Sequence, residues 1–183
     1  MANVLIVAAH TIPAISEANK RIVKELQVQF PDAQVDDLVV NYPDFNVDPV
    51  KEQERLLWAD VVIVQSPLFW FSMTSLVKRW FETAWAPGFA FGPGGDKMKG
   101  KKLIIGITAA GLEADYSAGG KMGIRVEDIV KPIKNAAAFT GMEFCGSVFT
   151  GGLVNAGDHN ADYVAQATKA AKEHAASIAA LIK

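Results

Sequence analysis

Apolar positions along the chain alternate between two spacings, which predict strands and helices in turn. Residues 3–9 form an uninterrupted apolar run, typical of a strand buried on both faces of a parallel sheet. Residues 16–30 instead place their apolar side chains on one helical face, and Pro31 ends that segment. The same patterns predict further strands at 34–40, 61–65, 102–108 and 143–149. They predict further helices at 50–58, 72–85, 125–139 and 161–182.

This order of elements predicts an α/β fold. Five strands alternate with helices over 183 residues, with no internal repeat and no low-complexity linker. Right-handed crossovers leave few topologies, and five strands favour the flavodoxin-like order 2-1-3-4-5. We therefore expect residues 1–183 to form a single domain, a three-layer sandwich with a five-stranded parallel sheet. Ligands would bind outside the carboxyl ends of the strands, where the strand order reverses.

In that order the first, third and fourth strands lie side by side, so the loops after them should meet in one crevice. The first of these loops, 10–19, leads into a helix whose N-terminal N–H groups suit a phosphate. His10, Ser16 and Asn19 would add side-chain hydrogen bonds there. Serine is also a common helix N-cap residue with no ligand at all, so both interpretations of Ser16 stay open.

The second loop places Leu68 before three consecutive aromatic residues, Phe69, Trp70 and Phe71. A turn between a strand and a helix is unlikely to bury three rings at once, so one or two should line a cleft or an interface. A flat heteroaromatic ligand would stack on such a ring. Core or dimer packing is the alternative, because aromatic residues are common at interfaces.

The third loop begins with small residues, Thr108, Ala109, Ala110 and Gly111, and continues to Tyr116. Small side chains let backbone N–H groups approach a ligand closely, and a tyrosine hydroxyl would reach a carbonyl. An ordinary loop with an exposed tyrosine is the alternative.

Composition excludes several classes of protein. Half of the residues are hydrophobic and the net charge is −2, which argues against a nucleic-acid binder. No apolar run reaches the roughly 18 residues of a membrane span, and the N-terminus lacks the basic region of a signal peptide. We therefore expect a cytoplasmic chain with no membrane insertion. The lone Cys145 is predicted to be a buried, inert thiol.

Other motifs fail on inspection. Residues 95–102 resemble a phosphate-binding P-loop but lack its final Ser or Thr and precede a strand instead of following one. His10, His159 and His174 show no metal-ligand spacing, so no metal site is predicted.

Four stretches of the chain are similar to one known family. They are residues 10–22 (HTIPAISEANKRI), 42–48 (YPDFNVD), 59–80 (ADVVIVQSPLFWFSMTSLVKRW) and 88–95 (GFAFGPGG). The chain resembles the flavodoxin-like NAD(P)H:quinone oxidoreductases from residue 1 to about residue 150. It is most similar to the branch that serves as ancillary subunits of glutathione-gated potassium efflux systems.

The resemblance implies non-covalent FMN, NAD(P)H as co-substrate, and usually a homodimer with sites at the subunit interface. The phosphate and ribityl end would be held by His10, Ser16, Glu17, Ala18 and Asn19. The isoalloxazine would pack against Leu68, Phe69, Trp70 and Phe71, with backbone donors from Thr108, Ala109, Ala110 and Gly111. Tyr116 matches the tyrosine of a catalytic Tyr–His pair, although residues 117–121 contain no His. Alanines stand where the family usually has Thr-Gly in the Thr-Thr-Gly-Gly loop.

The expected reaction is ping-pong hydride transfer from NAD(P)H to a quinone or a similar flat acceptor. The rival hypothesis is an FMN-binding regulatory subunit of a potassium efflux transporter, with incidental turnover. A pure electron carrier fits less well, because such carriers are usually strongly acidic. The apolar face of 72–85 suggests a dimer contact, unless the sheet itself covers that face.

Overall fold

The computed structural model describes residues 2–12, 16–154 and 161–182, which fold around a parallel sheet. The strands are β1 (Val4–Ala8), β2 (Gln34–Asp37), β3 (Val61–Pro67), β4 (Lys102–Thr108) and β5 (Glu143–Thr150). The helices are α1 (Glu17–Gln29), α2 (Leu38–Asn41), α3 (Pro49–Trp58), α4 (Ser75–Ala84), α5 (Val126–Phe139) and α6 (Ala161–Leu181). Over the described part of the chain, no helix is both long and apolar enough to cross a membrane.

The sheet has the order β2-β1-β3-β4-β5 and every neighbouring pair is parallel, which confirms the predicted flavodoxin-like topology.

Residues 13–15 of the first loop and His159 lie outside the described residues.

The second strand is shorter than predicted. It ends at Asp37, and the apolar residues after it form the short helix α2. The Asp37 carboxylate accepts hydrogen bonds from the backbone N–H groups of Val39 and Val40, which is the geometry of a helix N-cap. The prediction of a strand to residue 40 was wrong because this local cap outweighs the strand preference of neighbouring valines.

Helices cover both faces of the sheet, which explains the unbroken apolar runs of the inner strands. Helices α1 and α6 contact each other and bury one face of the sheet against a cluster containing Ile6, Ile63 and Ile104. Residues with the opposite orientation, such as Val7 and Val64, join the larger cluster on the other face. The inner strands therefore carry apolar side chains on both faces over most of their length, and polar residues such as Gln65 and Thr108 come at their carboxyl ends.

The apolar face of α4 is buried within the chain itself. Leu76, Val77, Trp80 and Ala84 are all buried, and the Trp80 ring packs edge-on against Phe81 at a centroid distance of 5.0 Å. This face was interpreted either as a dimer contact or as a surface covered by the sheet, and the structure favours coverage by the sheet.

Cys145 is partly exposed, which corrects the expectation of a fully buried thiol. The residue lies on β5, an edge strand of the sheet. Burial and then Glu143 still raise the pKa of the thiol above its ordinary value. The less nucleophilic protonated form therefore dominates at neutral pH.

Two carboxyl groups are buried together between β2 and α3. Asp36 and Glu52 are both fully buried, and their carboxyl groups interact closely enough for Glu52 to raise the pKa of Asp36. Asn41 Nδ2 donates to Asp36 Oδ1 at 2.7 Å, whereas Asp36 Oδ2 has no hydrogen-bond partner among the described residues. A proton on Asp36 that is donated to Glu52 satisfies both carboxyl groups.

The Glu52 carboxylate also contacts three donor side chains. Tyr42 Oη donates to Glu52 Oε1 at 2.6 Å, and Trp80 Nε1 donates to Glu52 Oε2 at 2.7 Å. Arg55 forms an ion pair with the same carboxylate and a second one with Asp36. Burial, followed by the contact with Glu52, raises the pKa of Asp36 to about 8.

This raised pKa predicts a pH-dependent stability. An aspartate in the unfolded chain titrates near ~4, so between that pH and about 8 the folded chain binds one extra proton. Stability therefore falls as the pH rises across this window, by at most about 1.4 kcal/mol per pH unit for this one group. Asp36→Asn mimics the protonated carboxyl and should flatten the decline, measured by urea unfolding from pH 5 to 8.5.

Asp37→Asn is the matched control, because it changes the neighbouring carboxylate and keeps an N-cap side chain for α2. It should retain the pH dependence of the wild-type protein. Equal slopes for the wild-type protein and Asp36→Asn would show that the carboxyl pair does not share a proton.

Candidate functional site

The three loops expected to form one crevice do meet at the carboxyl edge of the sheet. The backbone N–H of Leu68 donates to the carbonyl of Thr108 at 2.7 Å, which joins the second loop to the third. Asn19 Nδ2 donates to Thr108 Oγ1 at 2.8 Å, which joins helix α1 to the third loop. The rings of His10 and Phe69 pack edge-on at 5.4 Å, which joins the first loop to the second.

The N-terminus of α1 forms the first wall of the crevice. Ser16 precedes the helix and is buried, yet its hydroxyl makes no capping hydrogen bond. The simple N-cap interpretation of Ser16 is therefore not what the structure shows. The N–H groups of Glu17, Ala18 and Asn19 belong to the first turn, where no intrahelical acceptor is available.

His10 adds a neutral ring to this wall. Its Nδ1 accepts a hydrogen bond from the backbone N–H of Ile12 at 3.2 Å, which leaves the ring proton on Nε2. Burial, with a further contribution from Lys20, lowers the pKa of His10. At neutral pH the ring is thus an uncharged donor beside the helix N-terminus.

A groove of about 470 Å³ opens beside these groups. Its lining includes His10, Ser16, Asn19 and Gln65 and continues along α1 to β2 and α2, but it includes no residue of the second or third loop. A second groove of about 460 Å³ lies between α4 and α5 and contains none of the predicted cofactor residues. Of these two grooves, the one at the sheet edge is lined by predicted cofactor residues, and these come from the first loop and α1.

The aromatic loop forms a tight turn that presents its rings outward. Phe69 and Ser72 exchange two backbone hydrogen bonds of 2.9 and 3.0 Å across the turn. Between them, Trp70 and Phe71 adopt left-handed backbone angles, with φ values of 51° and 63°. The Trp70 side chain is 94% exposed, so its own chain does not cover the ring.

The third loop accommodates its alanines without strain. None of the residues 108–111 has a positive φ, so these positions do not require glycine for its backbone angles. Within the described residues, no group accepts a hydrogen bond from the N–H of Ala110 or Gly111. These two donors therefore fit a ligand with acceptor atoms along one edge.

Tyr116 is buried against this loop, whereas an ordinary exposed loop residue was the alternative expectation. Its ring packs against Phe149 at a centroid distance of 5.0 Å. A Cβ added at Gly111 would lie 3.0 Å from Tyr116 Cε2 and 3.2 Å from its hydroxyl, so glycine permits this close approach. Burial and then Asp115 raise the pKa of Tyr116, so its hydroxyl keeps its proton at neutral pH.

A buried chain of hydrogen bonds beneath the crevice was not predicted from the sequence. Thr150 Oγ1 lies 2.8 Å from His174 Nδ1, and His174 Nε2 lies 3.0 Å from Gln65 Oε1. Gln65 Nε2 donates to Asn19 Oδ1 at 2.9 Å, and Asn19 in turn contacts Thr108 as described above. The available signals were a glutamine ending a strand of Val and Ile, and a histidine inside an alanine-rich helix.

Comparison with known proteins gives the same fold. The chain matches the family model described as "Flavodoxin-like fold" over residues 2–175. It is 35% identical over 140 residues to an uncharacterized NAD(P)H oxidoreductase of Bacillus subtilis, covering 76% of this chain and 80% of that protein. It is 33% identical over 141 residues to the ancillary protein of a glutathione-regulated potassium-efflux system of an Enterobacter species, covering 77% and 78%.

Solved structures superimpose over nearly the whole chain. General stress protein 14 of Treponema denticola, in complex with FMN, has a TM-score of 0.86 with 23% identity, covering 98% of this chain and 99% of that one. An NADPH-quinone reductase from P. pentosaceus has a TM-score of 0.77 with 23% identity, covering 94% and 97%. At these identities the superpositions establish the fold.

The strain in this turn predicts that relieving it should raise the stability of the protein and weaken ligand binding. A left-handed backbone costs a non-glycine residue roughly 1–2 kcal/mol, and Trp70 recovers little of this through burial. Trp70→Gly should therefore raise the free energy of unfolding by about 1 kcal/mol, measured by urea titration. The same substitution should weaken the binding of a flat aromatic ligand in the crevice.

Ser72→Gly is the control, because Ser72 ends the same turn without a positive φ. It should destabilise the protein slightly, since glycine gains nothing there and costs chain entropy. A loss of stability in Trp70→Gly as large as that in Ser72→Gly would contradict the claim that the turn is strained.

Proposed function

The chain belongs to the family of flavodoxin-like fold proteins, and on that premise we propose that it is an FMN-dependent NAD(P)H:quinone oxidoreductase. The observation that carries the proposal is the convergence of three loops on one crevice. A helix N-terminus, an exposed aromatic turn and two unpaired N–H groups meet there. The FMN complex of the Treponema protein and the oxidoreductase from Bacillus support it.

The donors at the crevice fit the two ends of FMN. The first-turn N–H groups of α1, the Ser16 hydroxyl and His10 Nε2–H would hold the phosphate, because a helix N-terminus favours an anion. Leu68 and the rings of Phe69, Trp70 and Phe71 would contact the isoalloxazine. Thr108, Ala109, Ala110 and Gly111 would face its polar edge.

When bound, FMN would supply the chemistry of hydride transfer between NAD(P)H and a second substrate. One flat slot beside the aromatic turn would serve donor and acceptor in succession, which is ping-pong kinetics. The N–H groups of Ala110 and Gly111 are fixed by the loop and offer preorganised stabilisation of negative charge. The protonated hydroxyl of Tyr116 would orient or protonate the acceptor.

A homodimer would complete the slot. Trp70, Leu112 and Ile12 belong to the three loops and are largely exposed, although all are apolar. A second copy of the chain that covers the crevice would bury them and exclude water from the flat acceptor.

Binding of the phosphate end predicts a charge-sensitive affinity. Ser16→Asp places a carboxylate at the helix N-terminus, where aspartate is tolerated as a cap but would repel a phosphate. The dissociation constant for FMN should rise at least about tenfold, which corresponds to roughly 1.4 kcal/mol. Riboflavin, which lacks the phosphate, should bind the variant and the wild-type protein equally, as measured by quenching of flavin fluorescence.

Ser177→Asp is the matched control, because it adds the same charge on an exposed position of α6. Its FMN affinity should equal that of the wild-type protein. No flavin binding by the wild-type protein would refute the proposed function outright.

A second candidate is an FMN-binding regulatory subunit of a potassium efflux transporter, favoured by the 33% identity to an ancillary protein of such a system. Steady-state oxidation of NAD(P)H with a simple quinone distinguishes the two. We expect turnover of the flavin-loaded protein at about 1 per second or faster, the lower end of typical enzymes. Stable flavin binding with negligible turnover would favour the regulatory function.

A further inference from the structure

Asn19 and Thr108 sit at the proposed cofactor site and also end the buried hydrogen-bond chain that begins on α6. The inference rests on the proposed function, because it concerns how this same site is held. His174 lies in the middle of the chain, between Thr150 on β5 and Gln65 on β3. No role in the chemistry above involves His174, and its ring does not reach the crevice groove.

The donors and acceptors of this hydrogen-bond chain all point in the same direction. Because Gln65 Nε2 donates to Asn19, the Gln65 carbonyl must accept from His174 Nε2–H. Burial lowers the pKa of His174 to about 4, so the ring is neutral at pH 7 and carries one proton. Its Nδ1 is then an acceptor, and the Thr150 hydroxyl donates to it.

The same direction continues to the crevice. Asn19 Nδ2 donates to Thr108 Oγ1, so the Thr108 oxygen is occupied as an acceptor. The Thr108 hydroxyl hydrogen remains to be donated elsewhere. Thr108 ends β4 where the loop with the Ala110 and Gly111 donors begins, at the edge that would face the polar side of the cofactor.

The middle of this hydrogen-bond chain lies in the protein interior, whereas Thr150 is half-buried. His174, Gln65 and Thr108 are buried, and a Cβ at Gly106 would lie 2.0 Å from Gln65 Oε1 and 2.8 Å from His174 Nε2. The absence of a side chain at Gly106 creates the space that both groups fill. Because the His174 ring is buried, a hydrogen bond lost there leaves an unsatisfied polar atom in the interior, which is costly.

We propose that His174 is a positioning residue for the cofactor site, whose ring fixes the direction of four hydrogen bonds and so holds the Thr108 hydroxyl as a donor toward the crevice. Reversal of the ring tautomer would reverse every bond in the chain. The Thr108 hydroxyl would then donate to Asn19 and offer only an acceptor to the ligand.

The tautomer is measured directly on the cofactor-free protein. Ring ¹⁵N chemical shifts of His174 at pH 7 distinguish protonation at Nε2 from protonation at Nδ1. We expect the proton on Nε2 in the wild-type protein, with the same shifts after FMN is added. Protonation at Nδ1 would overturn the proposal, whatever the activity of the protein.

The link through Thr108 is tested by a double-mutant cycle on FMN affinity. Thr150→Val keeps the side-chain shape at the end of β5 and removes the donor to His174. Thr108→Val should raise the FMN dissociation constant by about fivefold, the effect of one hydrogen bond, and Thr150→Val by a smaller factor. The double variant should bind no more weakly than Thr108→Val alone.

Two controls separate this effect from a general loss of packing. Thr168→Val removes a hydroxyl of α6 that contacts only Val164 of its own helix and should not change FMN affinity. Thr150→Ser restores the donor and should restore the affinity. Independent, multiplying effects of the Thr108 and Thr150 substitutions would overturn the proposal. Absence of FMN binding by the wild-type protein would instead refute the proposed function, while the tautomer measurement would still decide the direction of the chain.

Discussion

The candidate site depends on one row of the sheet, in which Ala8, Gln65 and Gly106 are paired side by side on β1, β3 and β4. Gly106 leaves a space above β4, and the side chains of Gln65 and His174 fill it. This row fixes Gln65 close to Asn19, and Asn19 in turn fixes the start of α1 against Thr108. Any side chain at Gly106 would displace these groups and with them the loops that form the crevice.

The positions of the loops could be predicted from the sequence, because parallel strands place all their carboxyl ends at one edge. Ser16, Trp70 and Thr108 were predicted as site residues in this way, and the structure brings their loops together. The chain of hydrogen bonds could not be predicted from the sequence, because Gln65 and His174 are 109 residues apart and only the packing of α6 brings them together. The end of β2 was also missed, since one carboxylate at Asp37 changes the conformation of the apolar residues after it.

Two of the loops at the site differ in backbone strain. Trp70 and Phe71 hold left-handed backbone angles in a turn that exposes their rings, so this turn depends on the hydrogen bonds between Phe69 and Ser72. The loop of residues 108–111 is unstrained and begins between the ends of β3 and β5, where Leu68 donates to Thr108 and Ala109 donates to Thr150. The crevice therefore combines unstrained backbone donors at residues 108–111 with a strained aromatic turn at residues 69–72. Backbone strain of this kind is expected where it serves binding.

The two buried polar systems lie on opposite faces of the sheet, and this separation has a consequence for pH. Asp36 is paired with Val7, whose side chain belongs to the cluster under α3 and α4. Gln65 and His174 lie on the face covered by α1 and α6, next to Ile63 and Ile104. Because the apolar core of the sheet lies between them, ionisation of Asp36 weakens the fold without altering the direction of the hydrogen bonds at the crevice. Loss of stability and loss of cofactor affinity should therefore follow different pH dependences, each set by its own face of the sheet.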